Sequence, residues 1–467
     1  MNIACKTDNS KSDVPLVTSG AHSVFTNIFQ ALGAMTTAVL IARLLSPADK
    51  GVFDLYFTLA SLLNIALQFS VNAGITYAIA SQPANLRRIV AGVIAFSVLQ
   101  GMAGAEIVKL LARSGRGRAF IPAQLGGFAP LCVGAGVAAL ALFSMSRAIL
   151  AGQRRFITAN YGDMAKQGIG ISFILVVFAL RHHRPQGTLL EVVIANLSAI
   201  LIAALYFLNR AGFARARATA GAQVKTIMSF AAPAYAANLM QYMNYRLDVF
   251  LVSYYRGSAA VGLYQVGVYI VLAVNMIPQA AQKVLFPTIS ARNGQTQRNV
   301  EMVATSNRLL TTFGIGLALI LACVMPVVIP LALGKSYQRS VSALLWLLPG
   351  CVAFITANII AAYFSGIGRQ SLNTAGSAIG LVSTLGLDFL LIPRFGFLGA
   401  ACASSVSYFL TALYSAIVFA RITEARFGDL YLLRASDRTF VRQIIRSTNE
   451  KLVSMARRSI TIRGESG

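Results

Sequence analysis

The stretch LLTTFGIGLALILACVMPVVIPLAL, residues 309–333, contains no charged residue. At about 1.5 Å of rise per residue, about 20 apolar residues cross the roughly 30 Å hydrocarbon core of a bilayer, so this segment is long enough to span one. A single such run could be the buried helix of a large soluble core. Its surroundings exclude that. Further apolar runs lie at about 20–43, 54–80, 89–111, 123–147, 158–180, 188–209, 228–253, 261–286, 342–365, 372–392 and 398–420. The joints between them are short and polar, as at Ser46–Lys50, Ser81–Arg88, His182–Gln186 and Arg369–Ser371, and none is long enough for an extramembrane domain. The chain is therefore predicted to be an all-α membrane protein of about 12 transmembrane helices.

Composition points the same way. Of 467 residues, 56% are hydrophobic and 12% charged, with a mean hydropathy of +0.67, whereas soluble domains carry about 25% charged residues. The 40 Lys and Arg against 15 Asp and Glu give a formal charge of +25. In a soluble chain that excess would suggest nucleic acid, but a duplex reader cannot carry repeated apolar runs of this length, so no nucleic-acid partner is expected. The charge instead faces lipid headgroups or an anionic substrate. Cys132, Cys323, Cys351 and Cys402 sit inside apolar runs with no metal-ligand spacing and read as small core residues. Met1 to Val17 is polar and no Ala-x-Ala break follows, so no cleavable leader is expected.

With the N-terminus inside, the N-terminal arm, inner joints and tail collect 25 Lys and Arg and the outer joints 12. Both termini are therefore expected in the cytoplasm of a multi-pass inner-membrane protein. The basic, partly apolar tail after 420 is expected to lie as an amphipathic helix on the anionic leaflet. An internal repeat is also visible. Gly51-Val52-Phe53 is followed by Asn64 and Gln68, and Gly262-Leu263-Tyr264 by Asn275 and Gln279, at a constant offset of 211. Since an even number of spans returns the chain to the same side, this fits two six-helix bundles of like orientation. The expected divisions are a cytoplasmic arm at 1–16, a bundle at 17–209, a basic linker at 210–227, a second bundle at 228–420 and the tail at 421–467.

Three stretches carry a family resemblance. Asn244-Tyr245-Arg246-Leu247-Asp248 with Gly262-Leu263-Tyr264 resembles the opening of the second half of bacterial polysaccharide transporters of the multidrug/oligosaccharidyl-lipid/polysaccharide exporter superfamily. Leu391-Ile392-Pro393-Arg394-Phe395-Gly396 resembles their joint between helices 11 and 12, and Leu44-Leu45-Ser46-Pro47 with Gly51-Val52-Phe53 their first joint. The resemblance implies Wzx-type flippases, which move undecaprenyl-pyrophosphate-linked oligosaccharide for O-antigen, capsule or exopolysaccharide synthesis. It implies a central cavity that alternates its opening, lined by helices 1, 2, 7 and 8, with membrane lipids, a polysaccharide polymerase and chain-length proteins as further partners. Asp388 departs from the family pattern, where Asn is common.

Charged residues within spans cost about 2.5–3.5 kcal/mol each on insertion scales, and so are functional candidates. Arg246 suits a pyrophosphate or acidic sugar through its planar fork, although an Arg near a span end can also snorkel or pair with a neighbouring acid. Asp248, two residues on, points about 200° away round a helix, so the two cannot pair directly. Lys283 could meet an anionic head, or simply snorkel. The amides Asn64, Gln68, Gln241, Asn244, Asn275 and Gln279 concentrate on helices 2, 7 and 8, as a hydrated cavity requires; interhelical bonding is the alternative. Asp248 and Asp388 are candidates for coupling; the structural alternatives are a hydrogen bond holding helix 7 against helix 8 for Asp248 and a neutral, hydrogen-bonded carboxyl for Asp388. Glu106 with Lys109, and Asp163 with Lys166, are expected to neutralise one another at i,i+3.

His22, His182 and His183 are not spaced for a metal, and neither a phosphate-binding GxxxxGK[ST] loop nor a Gly-x-Ser-x-Gly elbow occurs. No cofactor and no enzymatic reaction are expected. The alternatives are a multidrug or small-solute exporter of the same superfamily, and a membrane glycan polymerase or ligase, which would need a sizeable outer loop.

Overall fold

The computed structural model describes residues 13–81, 86–115, 117–181, 188–211, 224–291, 296–434 and 437, and no strand occurs among them. In chain order the helices are α1 (Asp13–Leu44), α2 (Pro47–Gln68), α3 (Val71–Ser81), α4 (Leu86–Arg113), α5 (Ala129–Gly152), α6 (Phe156–Arg181), α7 (Thr188–Arg210), α8 (Val224–Ala291), α9 (Thr296–Leu333), α10 (Ser340–Gly366), α11 (Gln370–Phe395), α12 (Phe397–Thr423) and the short α13 (Phe427–Tyr431).

Ten helical stretches among the described residues are long and apolar enough to cross a membrane, against the expected twelve. Two features account for the difference. Only Leu32–Leu44 of α1 counts as a described apolar helix, and it is shorter than a span. The 68-residue α8 is broken at Gly257, whose φ of 76° and ψ of 178° only glycine adopts cheaply, so the expected seventh and eighth spans lie on either side of one residue. The expected second span is broken too. Between α2 and α3, Phe69 and Ser70 take left-handed φ values of 49° and 54°, each costing about 1 kcal/mol or more for a residue with a side chain.

The start of α2 is written locally. Pro47 occupies the first turn, where its missing N–H is not needed, and the Ser46 hydroxyl accepts the Asp49 N–H at 3.2 Å. Packing partners then repeat along the chain. In the first half α4 and α7 pack on α5, α2 packs on α5, and α6 packs on α1 and α7. In the second half α9 and α12 pack on α10, α8 packs on α10, and α11 packs on α12 and α8. Small residues allow this closeness where lipid removes the usual drive to bury apolar surface: Ala139, Ala141, Ala203, Ala204, Ala343, Ala362, Ala400 and Ala403 are all 0% exposed. Large apolar side chains such as Leu180, Leu331 and Val382 point outward instead.

The halves meet mainly along α2 and α8. Their tightest point is the repeated glycine pair. A Cβ on Gly51 would lie 1.8 Å from the Ser258 carbonyl oxygen, and one on Gly262 2.0 Å from that of Pro47. Nearby, Tyr337 donates to the Leu45 carbonyl at 3.0 Å, Ser253 to that of Ala119 at 2.7 Å, and Arg43 to those of Leu331 and Ala332. This face of the molecule, the glycine end, is thus stitched across the halves.

The tail differs from its expected form. Thr423 ends α12, Glu424 is left-handed, and α13 docks on α9, with Leu430 fully buried beside Ile289, Val303 and Phe419. Arg308 of α9 donates to Asp437 through Nε at 2.9 Å and Nη2 at 2.6 Å, and also to the Asp429 carbonyl. The described part of the tail is therefore clasped into the fold and does not lie as a continuous amphipathic helix; residues 438–467 and most of the linker fall outside the described residues.

Asp437→Ala leaves Arg308 buried without its carboxylate and should destabilise the docked segment by about 3–5 kcal/mol. Limited proteolysis at Arg434 of the variant and not of the wild type is the expected reading; identical digests would contradict it. The hydrogen bonds from Arg308 hold the Asp437 carboxyl below its ordinary value. The clasp therefore contributes at neutral pH and is lost only as pH falls through that depressed value, so wild-type protection should persist to about pH 4.

Candidate functional site

Where α2 faces α8, charged and aromatic side chains gather around Tyr269. Lys50 donates to Asp54 at 2.5 Å within α2, and both are only 2% exposed. Tyr269, from α8, donates to the other Asp54 oxygen at 3.0 Å and so ties the halves together. Lys50 Nζ lies 5.2 Å from the centre of the Tyr269 ring and Arg246 Cζ 5.8 Å, both within cation–π range. Arg246 itself is half-buried. Its hydrogen bond among the described residues is to Gln265 Oε1 at 3.3 Å, and it forms no ion pair there. Tyr242 and Tyr235 add donors across the same seam, to the Thr58 carbonyl at 3.1 Å and the Ala66 carbonyl at 3.0 Å.

A second cluster lies on the other side of α8. Asp248 accepts the Tyr264 hydroxyl at 2.5 Å and the Val249 N–H at 2.7 Å, and Tyr264 Oη lies 3.3 Å from Ser404 Oγ of α12. Asp388 of α11 is 0% exposed, and neither of its carboxyl oxygens has a hydrogen-bond partner among the described residues. α11 packs on α8, the helix that carries Asp248. Arg246 and Asp248 point to these two different clusters, as their spacing requires.

The remaining candidates are scattered. Gln68 donates to Ser144 of α5 at 2.7 Å and Cys351 of α10 to Asn275 at 3.6 Å, so these two amides bond neighbouring helices of their own half. Asn64 is buried, with an unbonded side-chain oxygen; Gln279 is half-buried and Lys283 exposed on α8. Gln241 and Asn244 lie on α8 before Gly257, and their side chains fall outside the described residues. Glu106 and Lys109 pair at 2.6 Å on the surface. Asp163 pairs instead with Arg147 of α5, at 2.9 Å, and Lys166 lies over the Phe143 ring at 4.6 Å, which corrects the expected Asp163–Lys166 pair.

Lys50 and Asp54 are absent from the residues singled out in the sequence, because Lys50 falls in what reads as a joint. The i,i+4 spacing of a Lys and an Asp at the mouth of an apolar run was the available signal.

Comparison with known proteins places this geometry. A model of the family described as "Polysaccharide biosynthesis protein" matches residues 40–342, more than half of the chain. A Shigella flexneri protein named "Putative O-antigen transporter" is 24% identical over 280 residues, covering 59% of this chain and 65% of that protein, just under two thirds of its length. Among solved structures, the lipid II flippase MurJ in an inward closed conformation has a TM-score of 0.66 at 14% identity, over 89% of both chains. An inward-facing multidrug resistance MATE transporter of the MOP superfamily has a TM-score of 0.66 at 15% identity, covering 85% of this chain and 94% of the other. Its outward-facing counterpart scores 0.57 at 14% identity, covering 88% and 96%. At these identities the likeness establishes a shared fold, that of the superfamily's helical membrane transporters.

Proposed function

Because the chain belongs to the polysaccharide biosynthesis protein family, we propose that it flips undecaprenyl-pyrophosphate-linked oligosaccharide repeat units across the inner membrane by alternating access. The observation that carries this reading is Arg246. A guanidinium half-buried in a membrane-spanning helix, with most of its five N–H donors unused among the described residues, suits a phosphate oxygen pair. A cation exporter would need a carboxylate free to meet its cargo, whereas Asp54 in this place is paired with Lys50 and bonded by Tyr269. The Shigella relative supports O-antigen units as the cargo.

In this reading the bundles at 17–209 and 228–420 rock about the α2–α8 seam, and Asn64, Gln241, Asn244, Gln279 and Lys283 hydrate or guide the cargo, while Gln68 and Asn275 bond helices within their own halves. The arm, the linker and the tail face the cytoplasm, where a thiol introduced by Ala218→Cys should stay unlabelled by an impermeant reagent. A polymerase and chain-length proteins consume the product outside. Cells lacking this protein should accumulate lipid-linked repeat units on the cytoplasmic leaflet, and an unchanged distribution would refute the assignment.

Asp388 supplies the coupling. A carboxyl buried in a span without a hydrogen-bond partner among the described residues is a costly arrangement, so we assign it the uptake of a proton during the cycle, with Asp248 on the packed helix α8 as the second coupling carboxyl. Asp388→Asn removes the titrating group at constant shape. Flipping in proteoliposomes should then lose its response to an imposed pH gradient. Identical responses of variant and wild type would remove Asp388 from coupling.

A further inference from the structure

We infer that Lys50 is the second cation of an anion site it shares with Arg246, and that Asp54 occupies the place of a diphosphate while none is bound. This rests on the reading of Arg246 given above and specifies the site around it.

Lys50 comes from the first half and Arg246 from the second, yet both lie against one aromatic ring, that of Tyr269, and so are no more than about 11 Å apart. The carboxylate bonded between the halves here is Asp54. One oxygen takes Lys50, the other Tyr269, which are the donors a phosphate would use. Arg246 is left with an amide oxygen, that of Gln265 at 3.3 Å. A single carboxylate therefore satisfies Lys50 and Tyr269 but not Arg246, whereas a diphosphate has the charge and the oxygens for all three. Asp248 cannot fill the gap, because it is held by Tyr264 and the Val249 N–H.

A purely structural role for Lys50–Asp54 is uneconomical. Two charges in the first turns of a span are each costly to insert, and a buried ion pair commonly does no better than an apolar pair of equal volume. As an exchangeable pair it does something an apolar pair cannot. When the diphosphate takes both Lys50 and Tyr269 from Asp54, the Asp54–Tyr269 bond between the halves is broken, so binding loosens the seam it must later cross.

The test is isothermal titration of the full-length protein in lipid nanodiscs with inorganic pyrophosphate and with farnesyl diphosphate. The two probes share the diphosphate and differ in the lipid. A response to both shows that the group itself suffices, and a response to the prenyl compound alone shows that the site takes it lipid-borne; either supports the proposal, and no response to both overturns it. Asp54→Asn, which keeps one acceptor oxygen but removes the competing charge, should bind about tenfold tighter. Lys50→Gln should bind about tenfold more weakly, and it decides the matter if Asp54→Asn fails to reach the membrane. Unchanged affinity in Lys50→Gln, or an Asp54→Asn variant no tighter than wild type, overturns the exchange. If those two are unchanged while Arg246→Ala loses binding, the exchange fails and Arg246 keeps its role. Wild-type affinity in Arg246→Ala would remove the anion site altogether.

Discussion

Arg246→Ala should reduce export of polysaccharide by about 30-fold or more while leaving the protein at its normal level in the membrane. Truncating one partner of a desolvated, hydrogen-bonded charge pair costs about 2–5 kcal/mol, and the lower figure alone is about a 30-fold loss of affinity. The fold should survive because Arg246 supports little of it: its bond among the described residues is a 3.3 Å contact to Gln265, and the seam beside it is held by Tyr235, Tyr242 and Tyr269. Arg246→Lys should recover only part of the activity, since a point charge replaces a planar fork. Surface glycan measured against membrane-extracted protein separates the outcomes. Normal glycan from the alanine variant at normal expression would take Arg246 out of the site.

The second large effect is expected at the glycine end. A Cβ at residue 51 or 262 would meet backbone carbonyl oxygen at 1.8 or 2.0 Å, so the helices must move apart by more than an ångström to admit it. Backbone cannot yield as a flexible side chain does. Gly51→Val or Gly262→Leu should hold the glycine end open, lowering transport at least tenfold with little loss of fold, because each half keeps its own packing. Val261, 0% exposed and next to Gly262 in the chain, reports the change: a Val261→Cys thiol should label with an impermeant reagent in the Gly51→Val background and stay protected otherwise. Protection in both backgrounds would show that the seam tolerates the side chain and does not gate.

Much of this was legible in the sequence, and the limits are physical ones. Apolar length marks spans because lipid forces each backbone polar group into a helix, whatever the tertiary context. The repeated Gly51 and Gly262 were visible as an offset of 211; that they touch each other was not, since spacing along a chain does not say which helices face across a seam. Arg246, Asp248 and Asp388 stood out because charge is rare in an apolar run. Lys50 and Asp54 did not, because a charge at the edge of a run looks like an ordinary membrane anchor until the helix is seen to continue through it. Asp163 was paired with Lys166 on helical spacing, yet Arg147 on the neighbouring α5 reaches it at 2.9 Å, a contact that local spacing cannot anticipate. The break at Phe69 and Ser70 carries no Gly or Pro to announce it. Of the tail's apolar residues, Leu430 packs against Ile289, Val303 and Phe419 in place of lipid, a tertiary contact that an amphipathic pattern does not announce.

The most direct test is flipping of undecaprenyl-pyrophosphate-linked oligosaccharide in proteoliposomes that contain the purified protein. The labelled lipid starts in one leaflet, and its arrival in the other is followed with an enzyme that cannot cross the bilayer. The wild type should move it at least tenfold faster than protein-free liposomes, and Arg246→Ala should fall back to the protein-free rate. If the wild type leaves the lipid in its starting leaflet while exporting a small organic cation from the same vesicles, the protein is a multidrug exporter and not a glycan-lipid flippase.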